Sequence, residues 1–159
     1  MKVICLILLA VVASEAHLWA GIGGEIGNGL CAPFQNLIAR FTGCYPINWN
    51  KLQLDQGISF SEPTATGKGP SAVSITSRSI TEIRSLAELK DHCEKIYPQF
   101  EWSKTEVAGL SGYRARVHGD FVYFLFRSSG EMILIQKQEG SNADGRQQAS
   151  VIMDSLHFN

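Results

Sequence analysis

Apolar and polar positions follow their clearest pattern in the last third of the chain. Tyr113-Arg114-Ala115-Arg116-Val117-His118 alternates apolar with basic residues, the two-residue period of a half-buried strand. Gly119-Asp120 then supplies a tight turn, and Phe121-Val122-Tyr123-Phe124-Leu125-Phe126 follows. Ser128-Ser129-Gly130 turns again into Met132-Ile133-Leu134-Ile135, so the segment reads as a three-stranded antiparallel meander. Its middle strand is apolar at every position and requires cover on both faces. Upstream, Ile58 and Phe60 share one face of Gly57–Ser61, and Val73 and Ile75 one face of Ala72–Thr76. Between them the turn formers of Glu62–Pro70 predict a hairpin with a long exposed loop.

Helical spacing appears three times. Phe34, Leu37, Ile38 and Phe41 predict a short amphipathic helix over Pro33–Phe41. Ser85-Leu86-Ala87-Glu88 is a capping box before a stripe at Leu86, Leu89, Cys93 and Ile96, and that helix should stop near Tyr97 because Pro98 excludes helical geometry from its predecessor. Ala149, Ile152, Met153 and Leu156 form a last stripe that can pack on the sheet. The order helix, hairpin, helix, meander, helix predicts an α+β sandwich, an antiparallel sheet flanked by helices.

The N-terminus changes the domain count. Met1-Lys2 precedes an apolar run, Val3 to Ala13, that ends in Ser14-Glu15-Ala16, the make-up of a secretory signal peptide cleaved after Ala16, with Ala20 as a second site. The run is too short for a transmembrane helix. Phe41-Thr42-Gly43-Cys44 resembles a lipid-attachment box but lies far beyond the apolar run. The glycines of residues 17–30 lack the third glycine and the preceding strand of a dinucleotide loop and read as a leader. The expected division is a signal peptide at 1–16, a leader with a short helix at 17–40, and a domain at 41–159. In a chain of 159 residues with net charge −1 and no extended run of basic residues, nucleic acid is not an expected partner.

Candidate chemistry is sparse. Ser111 in Gly109-Leu110-Ser111-Gly112 approaches a nucleophile elbow but has the wrong spacing. Cys93 adjoins His92, yet neighbouring helical positions point about 100° apart; Cys93 as a small core residue is the simpler reading. No Cys or His spacing suits a metal, and no cofactor is expected. Arg114, Arg116 and His118, on one face of a strand, make a basic row that could meet a carboxylate or a partner protein; its plain alternative is an exposed face near a sheet edge, where charge discourages aggregation. Export leaves Cys31, Cys44 and Cys93, of which Cys31 and Cys44 are nearest in sequence. They are either bridged or two free thiols. In Cys44-Tyr45-Pro46-Ile47-Asn48-Trp49-Asn50-Lys51, Pro46 favours extended backbone, and Trp49 is expected to cover one end of the sheet rather than to serve as a binding platform.

The run YPINWNKLQLDQGISFSEP, followed in order by SLAELKDHCEKIYPQF, VAGLSGYRARV and ASVIMDSLHF, resembles the PsbP/Mog1-like superfamily over roughly Phe41 to Phe158, as an exported bacterial member of PsbP-like or DcrB-like type. The resemblance implies an antiparallel sheet flanked by helices. It also implies action by binding, since relatives include extrinsic photosystem subunits, a Ran-binding nuclear protein and bacterial envelope proteins. It brings no catalytic set. The function expected is that of an exported, non-enzymatic protein of the periplasm or exterior that binds or assists another envelope or secreted protein. The alternatives are a small hydrolase or thiol enzyme using Ser111 or Cys93, and a periplasmic immunity protein.

Overall fold

A computed structural model describes residues 30–63, 69–128 and 130–159. The signal run and most of the leader lie outside the described residues. Among the described residues, two antiparallel sheets and two helices are built in the order β1 (Cys31–Asn36), β2 (Phe41–Pro46), β3 (Asn50–Leu54), β4 (Gly57–Ser61), β5 (Ala72–Ser79), α1 (Leu86–Ile96), β6 (Ser103–Val107), β7 (Leu110–Val117), β8 (Asp120–Ser128), β9 (Glu131–Gln138), α2 (Ala143–Asp154) and β10 (His157–Phe158). A seven-stranded sheet runs β3-β4-β5-β9-β8-β7-β6, and a three-stranded sheet runs β1-β2-β10.

The large sheet is the middle layer. On one face Ile58, Phe60, Val73, Ile75, Leu125, Ile133 and Ile135 pack with Phe34 and Phe41 of the small sheet and with Ala149 and Ile152 of α2. On the other face Tyr113, Phe124 and Met132 meet Leu89 and Cys93 of α1. Successive residues of β8 thus enter different cores, Leu125 one and Phe124 the other, as its unbroken apolar sequence requires. The predicted hairpin is β4 and β5, and the predicted meander is β7, β8 and β9.

Ser85 caps α1: its Oγ accepts the Glu88 amide at 3.2 Å, while Glu88 Oε2 reaches back to the Arg84 amide at 2.5 Å. That return bond falls one residue earlier than in a standard capping box, but it still satisfies an amide ahead of the first turn. Tyr97 closes the helix as expected, its amide donating to the Cys93 carbonyl.

The helix expected over Pro33–Phe41 does not form. Cys31–Asn36 is a strand, and the chain turns before Phe41 to pair back on it, Pro33 opposite Cys44 and Asn36 opposite Phe41. Asn36 decides the outcome: its Oδ1 accepts the Ala39 amide at 2.7 Å, and its Nδ2 donates to the Gly57 carbonyl at 2.8 Å. A buried amide making both bonds stabilises the turn. Leu37 and Ile38, which a helix would have buried, stand 76% and 72% exposed at the tip.

A candidate binding surface at the open edge of the meander

Strand β7 sends Tyr113 and Ala115 inward and leaves Arg114 and Arg116 exposed. Pairing with β8 sets Arg114 opposite Tyr123 and Arg116 opposite Phe121. The Phe121 ring becomes the floor of the basic row, with the Arg114 and Arg116 guanidinium carbons 5.9 and 5.5 Å from its centroid. Lys137, opposite Phe121 on β9, approaches the same ring to 6.0 Å. Cations at this range are drawn to the ring face. Lys137 is otherwise committed, since its Nζ lies 3.0 Å from Ser150 Oγ on α2 and 3.5 Å from Glu139. Arg114 and Arg116 carry the exposed charge. Burial pushes the Tyr123 hydroxyl's pKa up, against the opposing pull of the Arg114 guanidinium beside it.

His118 does not join the row. Strand β7 ends at Val117, and Val117 pairs with Asp120 across a two-residue turn of His118 and Gly119. Their φ values of 53° and 102° are those of a hairpin turn that needs a positive φ at both centres, which displaces the turn one residue from the expected Gly119-Asp120. His118 is exposed at that tip, and Arg116 Nε points to the Gly119 carbonyl at 3.4 Å.

Strand β6, which carries no apolar alternation to announce it, covers only part of β7. Its first residue, Ser103, stands opposite Arg114, so Ala115–Val117 extends beyond it. Past the end of β6 a cleft of about 640 Å³ opens between Trp102 and Glu101 on one side and Arg114, Arg116 and Phe121 on the other. Round the edge, on the α1 face, lies a second cleft of about 250 Å³, walled by Tyr97, Phe100 and Trp102 and floored by Val122, Phe124 and Leu134. Trp102 borders both.

The other candidates are separate from this surface. Ser111 is an exposed residue within β7, opposite Glu106, and not at a strand-to-helix turn. Cys93 is sealed in the α1 core, where burial pushes its thiol up to about 12. Cys31 and Cys44 form a disulfide between β1 and β2, with Cα atoms 5.7 Å apart. Among the described residues, no three His, Cys, Asp or Glu side chains are grouped as a metal site. Phe121, Lys137 and Trp102 are the parts of the surface missed in the sequence. Locating the turn at His118-Gly119 would have placed Phe121 under Arg116.

No family model matches the chain, and no curated protein matches it. Solved structures do. The solution structure of cyanobacterial PsbP (CyanoP) from Synechocystis sp. PCC 6803 superposes with a TM-score of 0.50 at 11% identity, covering 86% of this chain and 96% of that one. A crystal structure from Bacteroides thetaiotaomicron gives 0.45 at 12% identity, over 80% of this chain and 48% of the other. The Ran-binding protein Mog1p of Saccharomyces cerevisiae gives 0.46 at 9%, over 82% and 96%. The fold is like that of cyanobacterial PsbP, as the sequence resemblance implied.

Proposed function

We propose that the protein is an exported, non-enzymatic protein that binds or assists another envelope protein through the basic face of β7. The observation that carries this reading is the pair Arg114 and Arg116, held over Phe121 beside a strand edge that β6 leaves uncovered. Exposed guanidinium groups braced on an aromatic ring are organised for a carboxylate before it arrives, which lowers the ordering cost of binding. Export is supported by the signal-like run and by the Cys31–Cys44 disulfide, a bond that persists in oxidising compartments. Against a thiol enzyme stands Cys93: a buried thiol with its pKa pushed up to about 12 is the reverse of an activated nucleophile. The test is crosslinking in the native envelope followed by partner recovery. An Arg114→Glu/Arg116→Glu variant that folds normally should lose the partner, and unchanged recovery would dispose of this reading.

A further inference from the structure

We propose that the partner is taken as an extended segment that adds to the edge of β7 left free among the described residues, with acidic and aromatic or large apolar side chains at alternate positions. This rests on the binding reading above and specifies what is bound.

Three features converge on one edge. Val117 and Asp120 close the two-residue turn as a hydrogen-bonded pair, so alternate residues Val117, Ala115 and Tyr113 direct their backbone groups toward β8. Arg114 and Arg116 direct theirs the other way. Opposite Arg114 stands Ser103, where β6 ends, so the amide and carbonyl of Arg116 face the cleft. An edge with a donor and an acceptor so placed is the template for strand addition.

The faces on either side of that edge differ in chemistry. Arg114 and Arg116 lie on the α2 side, over Phe121. The aromatic cleft lies on the α1 side, and its floor residues Val122, Phe124 and Leu134 come from β8 and β9. Successive residues of a strand point to opposite faces. A segment hydrogen-bonded to Arg116 would therefore send one side chain toward the arginines and the next toward Tyr97, Phe100 and Trp102. The first position selects a carboxylate. The cleft of about 250 Å³ is bordered by Gln99 and Gln136 and, among the described residues, by no charged side chain, and it suits one aromatic or large aliphatic group.

The test uses the purified folded protein and fluorescein-labelled synthetic peptides, with binding read by anisotropy. The probe is Ser-Glu-Trp-Glu-Val-Ser. Its counterparts are a peptide with both Glu replaced by Lys, a scrambled peptide with adjacent acids, and a scan of singly N-methylated peptides. We expect saturable binding that weakens about tenfold or more when the acids become Lys, when the acids are adjacent, and when one central amide is methylated. Trp102→Ala and Arg116→Glu should each weaken the alternating probe to a similar degree while far-UV circular dichroism stays unchanged. Binding indifferent to N-methylation at every position would overturn strand addition, and no binding of the alternating probe would overturn the inference outright. If the envelope partner is still recovered in an arginine-dependent way while the peptides fail, this inference falls and the binding reading stands; loss of both brings down both. Concentration-dependent dimerisation that Arg116→Glu abolishes, with no peptide binding, would assign the edge to a second copy and equally overturn the proposal.

Discussion

Trp49 Nε1 donates to Gln148 Oε1 at 2.7 Å, tying the turn before β3 to the middle of α2. The indole is 4% exposed and belongs to the core that also holds Phe60, Ile75 and Ile152. Its aromatic body is buried while its one polar atom is satisfied by a neighbouring element. Trp49→Ala should cost about 3–5 kcal/mol and lower Tm by about 10–20 °C. Gln148→Ala, which removes only the bond, should cost about 1 kcal/mol. Thermal and urea unfolding followed by tryptophan-independent circular dichroism would check both. A Trp49→Ala protein with native stability would mean that the indole is not a core residue.

Arg127 joins parts of the chain that are remote in sequence. Its side chain, 6% exposed, donates to the carbonyls of Ala39 at 2.5 Å and Arg40 at 2.9 Å and to the main-chain oxygen of Asn159, and its Nη1 lies 3.4 Å from Glu131 Oε1. Burial pulls the guanidinium's pKa down, Glu131 pushes it up and Arg40 pulls it down again. Replacing it with Ala would take this donor from the Ala39 carbonyl and the Asn159 main-chain oxygen, while the Arg40 carbonyl keeps the Asn159 amide, and should cost about 3 kcal/mol. Lys should recover only part, because an ammonium lacks the planar fork that serves several acceptors together. Hydrogen exchange should quicken at the Asn159 amide, which is bonded to the Arg40 carbonyl at 2.9 Å.

The reach of the sequence ends where non-local pairing begins. The apolar run of β8 demanded two cores and has them, and Ser85 with Glu88 announced α1, because each signal is written in neighbouring residues. Phe34, Leu37, Ile38 and Phe41 fit a helix in spacing alone. The strand wins through Asn36's bond to Gly57 and the pairing with β2, partners that local periodicity does not contain. Strand β6, Ser-Lys-Thr-Glu-Val, is a polar edge and shows no alternation to read. In the candidate site Arg114 and Arg116 were legible as one face. Phe121 and Lys137 were not, since only the β7–β8 and β8–β9 registers bring them there.

Cys93 gives stability at alkaline pH a definite sign. Its folded pKa is about 12 against an ordinary 9.0, burial being the main cause, with a smaller downward pull from its own backbone hydrogen bond and a smaller upward push from Glu94. Between those values the unfolded chain loses the proton first, so the unfolded state holds fewer protons and stability falls as pH rises. The contribution is fully present below about pH 9 and is lost above it, at no more than about 1.4 kcal/mol per pH unit. Tyr123, also raised by burial, adds a loss above its ordinary value of 10.0. Urea midpoints from pH 8 to 11 should decline, and Cys93→Ala should flatten the part of the slope that begins near pH 9. In native protein at pH 8 iodoacetamide should leave Cys93 unmodified, and in urea it should alkylate it.

The disulfide closes the chain across β1 and β2, from Cys31 to Cys44, a separation of 13 residues. Strand β1 is an edge of the three-stranded sheet, held by its pairing with β2 and by this bond. A loop of that length contributes about 3 kcal/mol by restricting the unfolded chain. Cys44 is 3% exposed, so Cys31→Ala/Cys44→Ala removes the bond without burying a hydroxyl. That variant should unfold at a lower urea midpoint than the parent, by a shift worth about 3 kcal/mol. A phosphine reductant should bring the parent down to the variant and leave the variant where it is. Peptide mapping under non-reducing conditions should recover Cys31 and Cys44 on one linked fragment and Cys93 as a free thiol. Two alkylated thiols at positions 31 and 44 in protein isolated without reductant would show the bond absent, and with it the physical support for export.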